Sequence, residues 1–284
     1  MKTTGRLGVR LSIAEALRLG AGRLAGIADN PRLEVRLLLG HALGLSTAEL
    51  IRDADRPIDP TAFDALVTQR AAHVPLAYLT GHREFWSLDL AVSSATLIPR
   101  PDSETIVEAA LREVADPRLI LDLGTGTGCL LLAVLHERPE AFGVGIDQSA
   151  EALSIARANA GRCGLSDRTA FVQGDWAEAI EARFDLILSN PPYIPASDIP
   201  GLMPEVALHE PLSALDGGPD GLDAYRRIIP SLPRRLSPVG CAVLEIGIGQ
   251  GEAVSALAAE VGLSAMSHPD LAGIPRALVL RPSP

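Results

Sequence analysis

The apolar positions of this chain follow two different periods, one on either side of a short extended stretch. From Leu11 to about Arg70 they recur at helical spacing: Leu33, Leu37, Leu38, Leu39, Ala42 and Leu43 build one face of a segment that Asp29-Asn30-Pro31 opens and Gly44 closes. A capping residue, a proline in the first turn and a terminal glycine are the usual boundaries of a helix. Ser46 followed by Glu49 predicts a capping box at the next helix, and Asp59-Pro60 opens a third running toward Arg70. After Leu119 the pattern turns into short unbroken apolar runs separated by helical stretches, as in a parallel sheet covered on both faces. Strands are predicted at Leu119–Leu123, Gly143–Ile146, Thr169–Val172, Phe184–Leu188, Ala242–Ile246, near Ser264–His268, and at Ala277–Leu280; helices at Leu130–Glu137, Ala150–Ala160, Leu222–Leu232 and Glu252–Glu260.

Between the two regimes, Phe85, Trp86, Leu88, Leu90 and Val92 follow Thr80-Gly81 in near alternation, the mark of a short hairpin. Pro99-Arg100-Pro101-Asp102-Ser103-Glu104 then leads into a helix through about Val114, with Asp102 or Ser103 as its cap. The fold class expected is α/β: a Rossmann-like, seven-stranded, mostly parallel sheet with helices on both faces, preceded by a small helical bundle and a hairpin connector. The boundaries drawn are 1–74 for the bundle, 75–97 for the connector and 98–284 for the sheet domain.

Sheets of this kind bind ligands outside the carboxyl ends of their strands, so the residues there carry the chemistry. The first predicted strand runs into Gly124-Thr125-Gly126-Thr127-Gly128, a loop whose glycines allow a tight turn and close approach of a ligand to the backbone. A dinucleotide fingerprint would require glycine or alanine where Cys129 stands, which weighs against a nicotinamide oxidoreductase. Asp147 ends the second strand, where a carboxylate can accept both hydroxyls of a ribose, or cap the helix from Ala150. Asp175 and Trp176 end the third, offering an acceptor for an adenine amino group and an aromatic face. At the fourth strand end stands Ser189-Asn190-Pro191-Pro192-Tyr193. The prolines stop the strand, and each also restricts the residue before it. The Asn190 amide and the Pro191 carbonyl thereby become two fixed acceptor oxygens beside the Tyr193 ring, and two such oxygens hold both hydrogens of one NH2 group.

Composition and charge narrow the partners. Residues 1–90 hold 11 Arg and Lys against 10 Asp and Glu, whereas residues 91–284 hold 14 against 25, a poor electrostatic footprint for a nucleic-acid binder. Cys129, Cys163 and Cys241 have neither disulfide nor metal spacing, and the six histidines are scattered, so chemistry through an organic cofactor without a metal is expected. Lys2, Arg6 and Arg10 precede an amphipathic stretch rather than an apolar leader, and no segment has the apolar length of a membrane span; a cytoplasmic location is expected.

The order of glycine loop, Asp147, Asp175-Trp176 and Asn-Pro-Pro-Tyr resembles a class I S-adenosylmethionine-dependent methyltransferase. More closely, the chain resembles the HemK-type protein-glutamine N5-methyltransferase family. The segments that carry this resemblance are 75–86 (PLAYLTGHREFW), 98–104 (IPRPDSE), 121–128 (LDLGTGTG), 189–194 (SNPPYI), 209–225 (HEPLSALDGGPDGLDAY), 244–251 (LEIGIGQG) and 270–276 (DLAGIPR). Ser103 stands where threonine is frequent. The resemblance implies methyl transfer from S-adenosylmethionine, leaving S-adenosylhomocysteine, to the glutamine amide of the Gly-Gly-Gln motif in class 1 peptide-chain release factors 1 and 2. It implies that Asn190, Pro191, Pro192 and Tyr193 bind the acceptor. Gly124, Thr125, Gly126, Thr127, Gly128, Asp147, Asp175, Trp176 and Asn190 would bind the donor. Asn190, Pro191 and Tyr193 would act in the transfer. Arg100 is either a pocket residue or an exposed linker arginine, and His209 and Glu210 either cover the acceptor or merely shape a loop. Two other readings stay open: methylation of an exocyclic amine such as adenine N6 in a nucleic acid, and an adenosine-binding module without catalysis.

Overall fold

The computed structural model describes residues 10–178 and 180–283; Lys2 and Arg6 lie outside them. These residues cluster into two units, one running through Gly81 and taking in Pro204–His209, the other covering His82–Met203 and the chain from Glu210 on.

The first unit holds β1 (Leu11–Ser12), α1 (Ile13–Arg23), α2 (Pro31–Leu43), α3 (Thr47–Arg52), β2 (Pro57–Ile58), α4 (Thr61–Ala71) and α5 (Leu76–Thr80). Its helix boundaries follow local chemistry. The Asn30 side chain accepts from the Leu33 amide, Pro31 occupies the first turn, and Gly44 ends α2 in the left-handed conformation. The Ser46–Glu49 capping box is present, and a second one joins Ser12 to Glu15 at the start of α1. Ile13, Leu24, Leu38, Leu39 and Val67 close the core of this bundle. Leu76 and Leu79 of α5 pack on that core, so the bundle extends to Gly81 where the sequence reading ended it at residue 74.

The second unit comprises the hairpin β3 (His82–Phe85) and β4 (Leu88–Ala91), then α6 (Glu104–Glu113), β5 (Leu119–Leu123), α7 (Cys129–Glu137), β6 (Phe142–Asp147), α8 (Ala150–Arg162), β7 (Thr169–Gln173) and β8 (Phe184–Ser189). After α9 (Pro204–His209), which clusters with the first unit, come α10 (Asp223–Ile228), α11 (Leu232–Arg235), β9 (Leu236–Glu245), α12 (Gly251–Glu260), β10 (Leu263–Pro269) and β11 (Pro275–Pro282). The helix expected over Leu222–Leu232 is interrupted: Pro230 and Pro233 leave α10 and α11 joined by a short 3-10 turn, because proline cannot donate to the preceding turn.

The sheet has seven strands in the order β10-β11-β9-β8-β5-β6-β7, with β11 alone running against its neighbours. Both faces are covered, and side-chain alternation sorts the strand residues between two cores. Ile120, Leu186, Leu188 and Val243 meet α6 and α7, whereas Leu121, Ile187, Ala242 and Leu244 meet α10 and α12. The chain leaves β5 toward β6 on one side and returns as β8 on the other, so the crevice between the ends of β5 and β8 is the topological switch point where such sheets bind ligands.

Fully buried Asn159 on α8 braces this edge. Its Oδ1 accepts from the Ala91 amide at 2.7 Å, and its Nδ2 donates to the carbonyls of Ala91 and Thr127 at 3.0 and 2.9 Å. Asn159→Leu keeps the volume and removes all three bonds. Urea unfolding is expected to show a loss of about 3 kcal/mol, since buried backbone groups left without a partner cost roughly 1–3 kcal/mol each; a change below about 1 kcal/mol would contradict the bracing role.

Candidate functional site

A cleft of about 1020 Å³, counting the part open to solvent, lies over the carboxyl ends of the central strands. Its walls include the glycine loop, Asp122, Asp147, Asp175, Trp176, Asn190, Pro192, Arg100 and Ser103.

The loop after β5 is held from both sides. Gly124, Gly126 and Gly128 take φ of 71°, 54° and 82°, a region closed to most side chains, and the space beside Gly126 is open. The amides of Gly124 and Thr125 both donate to the Ile146 carbonyl at 2.9 Å, and the Gly126 amide donates to Asp147 Oδ2 at 2.9 Å. Asp147 Oδ1 accepts from the Ser149 amide at 2.9 Å. The cap of α8 is therefore Ser149, whose hydroxyl accepts from Ala152, and Asp147 ties the loop to the end of β6 while its carboxylate keeps lone pairs for a ligand. Trp176 also lines the cleft, at a φ of 49°. Asp175 is half exposed and bonded to Arg227 Nη2 at 2.5 Å.

Asp122 was not singled out by the sequence reading. It is buried at the end of β5, with Oδ2 accepting from the Thr125 hydroxyl at 2.6 Å and Oδ1 lacking a hydrogen-bond partner. Burial pushes its carboxyl up to about 7, with the nearby Asp147 charge adding to the rise and the Thr125 bond opposing it. A buried acceptor oxygen in the wall of a cleft is suited to a cationic ligand group. Cys129, a partly buried lining residue, is pushed up to about 12 by burial, so it stays a thiol.

Around Asn190 the polar groups form one chain. Asn190 Nδ2 donates to Ser103 Oγ at 3.2 Å, Ser103 Oγ donates to Glu245 Oε2 at 2.5 Å, and the Tyr193 hydroxyl donates to Glu245 Oε1 at 3.1 Å. Glu245 is the last residue of β9 and is buried; burial raises its pKa, while the two hydroxyls and Arg276 pull it back. Burial likewise raises the Tyr193 phenol, first by desolvation and then through the Glu245 charge. Ser103, expected as a possible cap for α6, makes no capping bond and spends its hydroxyl on Glu245; Asp102 is paired with Arg276 at 3.1 Å.

The backbone of the Asn-Pro-Pro-Tyr turn is clasped as well. The Ser189 hydroxyl donates to the Leu123 carbonyl at 2.7 Å, joining the ends of β8 and β5. Gln250 Nε2 donates to the Tyr193 carbonyl at 2.9 Å, and Ile194 pairs with the 215–217 segment. A Cβ at Gly221 would stand 2.4 Å from the Tyr193 carbonyl oxygen, so only glycine lets that loop close over the turn. Asn190 and Pro192 line the cleft on either side of Pro191, which is buried, and Tyr193 is not among the lining residues. Arg100 is a cleft residue, bonded through Nη2 at 2.6 Å to Glu210 Oε1, whose side chain is 1% exposed. Glu210 thus fixes the start of the 210–222 segment, while His209 contacts the Ala72 carbonyl within the first unit. Among the described residues no cluster of His, Cys, Asp and Glu is arranged to hold a metal, and no helix is long and apolar enough to cross a membrane.

Residues 15–81 match the family described as PrmC N-terminal domain, and residues 102–203 match the methyltransferase small domain. A protein of Rhodospirillum rubrum named release factor glutamine methyltransferase is 46% identical over 95% of this chain and 85% of its own length. A protein of Bradyrhizobium diazoefficiens with the same name is 46% identical over 96% of both chains. Among solved structures, a ribosomal protein L11 methylase from Lactobacillus delbrueckii subsp. bulgaricus superposes with a TM-score of 0.51 at 18% identity, over 65% of this chain and 81% of that one, a likeness of fold.

Asp122 makes stability depend on pH in a definite direction. A carboxyl whose folded pKa lies above its unfolded value favours folding below pH about 4, and that contribution is lost as pH rises to about 7, a change on the order of 4 kcal/mol. Unfolding free energies measured from pH 4 to 8 are expected to fall less steeply in Asp122→Asn than in the wild type; identical slopes would remove Asp122 as their cause.

Proposed function

Since the chain belongs to the release factor glutamine methyltransferase family, we propose that the cleft binds S-adenosylmethionine and that Asn190 and Pro191 hold the glutamine amide of the Gly-Gly-Gln motif of class 1 release factors 1 and 2. The observation that carries this reading is the Asn190 side chain: it lines the cleft with Nδ2 already given to Ser103, which leaves Oδ1 as its acceptor for a ligand.

The residues present fit the donor. Asp122 Oδ1 is a buried oxygen in want of a donor or a cation, the amino-acid end of S-adenosylmethionine carries an ammonium group, and the open space beside Gly126 admits its chain. Asp147 supplies carboxylate lone pairs for the ribose hydroxyls, and Trp176 with Asp175 supplies a face and an acceptor for adenine. When bound, the donor supplies an electrophilic methyl carbon on a positively charged sulfur.

The glutamine nitrogen is a weak nucleophile because its lone pair is delocalised into the carbonyl, the same resonance that raises the amide rotation barrier to ~18–20 kcal/mol. Asn190 Oδ1 and the Pro191 carbonyl accept its two N–H groups and turn the nitrogen lone pair toward the donor site. As the nitrogen takes the methyl it becomes positive, and both bonds strengthen into charge-assisted ones. Their preference for the transition state over the bound amide is the source of catalysis. Fixed orientation of the amide adds the entropic share. The methylated nitrogen is a strong acid and releases its proton to water, so neither Asn190 nor the Pro191 carbonyl has to act as a base. Tyr193 acts from behind the turn, fixing its backbone through Glu245 and Gln250.

Incubation of the protein and S-adenosylmethionine with purified release factor, followed by mass spectrometry of the Gly-Gly-Gln peptide, is expected to show one added methyl on the glutamine side chain. Transfer to DNA or RNA with none to the release factor would overturn the reading. Asn190→Ala is expected to lower kcat by roughly 10²–10³, the scale for one lost transition-state hydrogen bond, with donor affinity little changed. An unaltered kcat would exclude Asn190 from the reacting centre.

A further inference from the structure

Asn190 presents one of two ends to the cleft. With Oδ1 forward it accepts from an acceptor NH2; turned over, it presents its own NH2 and repels the same group. The two ends are nearly equal in shape, so packing does not choose between them, and the choice falls to the hydrogen-bond partners.

Those partners form a one-way relay. Glu245 is buried, and each of its oxygens receives a hydroxyl, Ser103 on Oε2 at 2.5 Å and Tyr193 on Oε1 at 3.1 Å. A carboxylate only accepts, so both hydroxyls must point their protons inward at it. Ser103 has a single proton; once that is spent on Glu245, its oxygen is left as an acceptor, and the Asn190 group 3.2 Å away has to be the Nδ2 donor. We infer that Glu245, acting through Ser103, is the positioning residue that sets the amide orientation of Asn190 and so makes the acceptor site selective for a primary amide. This inference rests on the assignment of Asn190 as the amide-binding residue.

The charge around Glu245 suits the role. Burial raises the Glu245 pKa, but the two hydroxyl bonds and the nearby Arg276 pull it back toward the carboxylate form, with Asp102 opposing; Arg276 is itself shared with Asp102 at 3.1 Å and Asp270 at 3.2 Å. Tyr225, on the far side of the strand end, donates its hydroxyl to the Glu245 carbonyl at 2.8 Å, anchoring the backbone from which the carboxylate projects. None of these groups reaches the reacting atoms, so Glu245 acts only through Ser103 and Tyr193.

Substitutions of nearly equal shape distinguish a relay from simple packing. Glu245→Gln keeps the volume but puts an NH2 where one oxygen was, which reverses the relay when it faces Ser103. Ser103→Ala removes the relay, and Ser103→Thr keeps the hydroxyl. With release factor as acceptor, Glu245→Gln and Ser103→Ala are expected to lose roughly 10²-fold in kcat with donor Kd from calorimetry held within about threefold, and Ser103→Thr to recover most of that loss. Wild-type kcat in both Glu245→Gln and Ser103→Ala would overturn the inference.

The orientation is also readable without any acceptor. In 15N-labelled protein bearing donor product, the Asn190 side-chain NH2 is expected to exchange slowly with solvent in the wild type and fast in Ser103→Ala and Glu245→Gln. Unchanged exchange in both variants would overturn the inference even if their kcat fell, because the loss would then be structural. If the wild type methylates no release factor, the functional reading fails, and the Asn190 exchange rates alone decide for or against the relay.

Discussion

A carboxylate taken out of water has to be given donors, and Glu245 at the end of β9 receives two hydroxyls from segments far apart in the chain. Ser103 precedes α6 and Tyr193 follows β8, so satisfying this one group brings the entrance of the sheet unit and the Asn-Pro-Pro-Tyr turn to the same point. Gln250 and the 215–221 loop hold the backbone of the turn from the other side. Asn190 is thereby fixed at both main chain and side chain. A site that works by orienting a flat, weakly reactive amide needs that fixity, because misaligned acceptors lose their preference for the transition state.

The two buried acids share a structural origin. Along β5 and β9 the side chains that face α6 and α7 are Ile120 and Asp122, and Cys241, Val243 and Glu245. On both strands the apolar series gives way to a carboxylate near the carboxyl end, and on β5 that carboxylate lines the cleft. Asp122 lines the cleft, whereas Glu245 stands behind it, bonded to the Ser103 and Tyr193 hydroxyls. Each is raised by burial, and each is restrained by hydroxyl donors, Thr125 for one and Ser103 with Tyr193 for the other.

Much of this was legible in the amino-acid order. Continuous apolar strands and capped amphipathic helices predicted the seven-stranded sheet and the helical bundle, and the glycine loop and the prolines after β8 marked the strand ends that line the cleft. What escaped were contacts between distant segments. Asp122 and Glu245 each left a local trace, a lone acid inside an apolar run, but such a trace does not say which donors will meet it. Asp102 or Ser103 reads as the helix cap because their neighbours are those of a cap, but the Ser103 hydroxyl goes instead to a residue on β9. For Arg100 the sequence leaves a pocket residue and a linker arginine both open, because nothing nearby in sequence announces Glu210. Pro230 and Pro233 interrupt the helix that apolar periodicity suggests after Leu222, because a proline has no amide to donate to the preceding turn.

The most direct test of the central claim is a crystal structure of the protein with S-adenosylhomocysteine and a peptide containing the Gly-Gly-Gln motif. The glutamine side-chain nitrogen is expected within about 3 Å of both Asn190 Oδ1 and the Pro191 carbonyl oxygen, with Asn190 Nδ2 still on Ser103. A glutamine nitrogen bound elsewhere in the cleft, or an Asn190 amide that turns its NH2 toward the peptide, would contradict it.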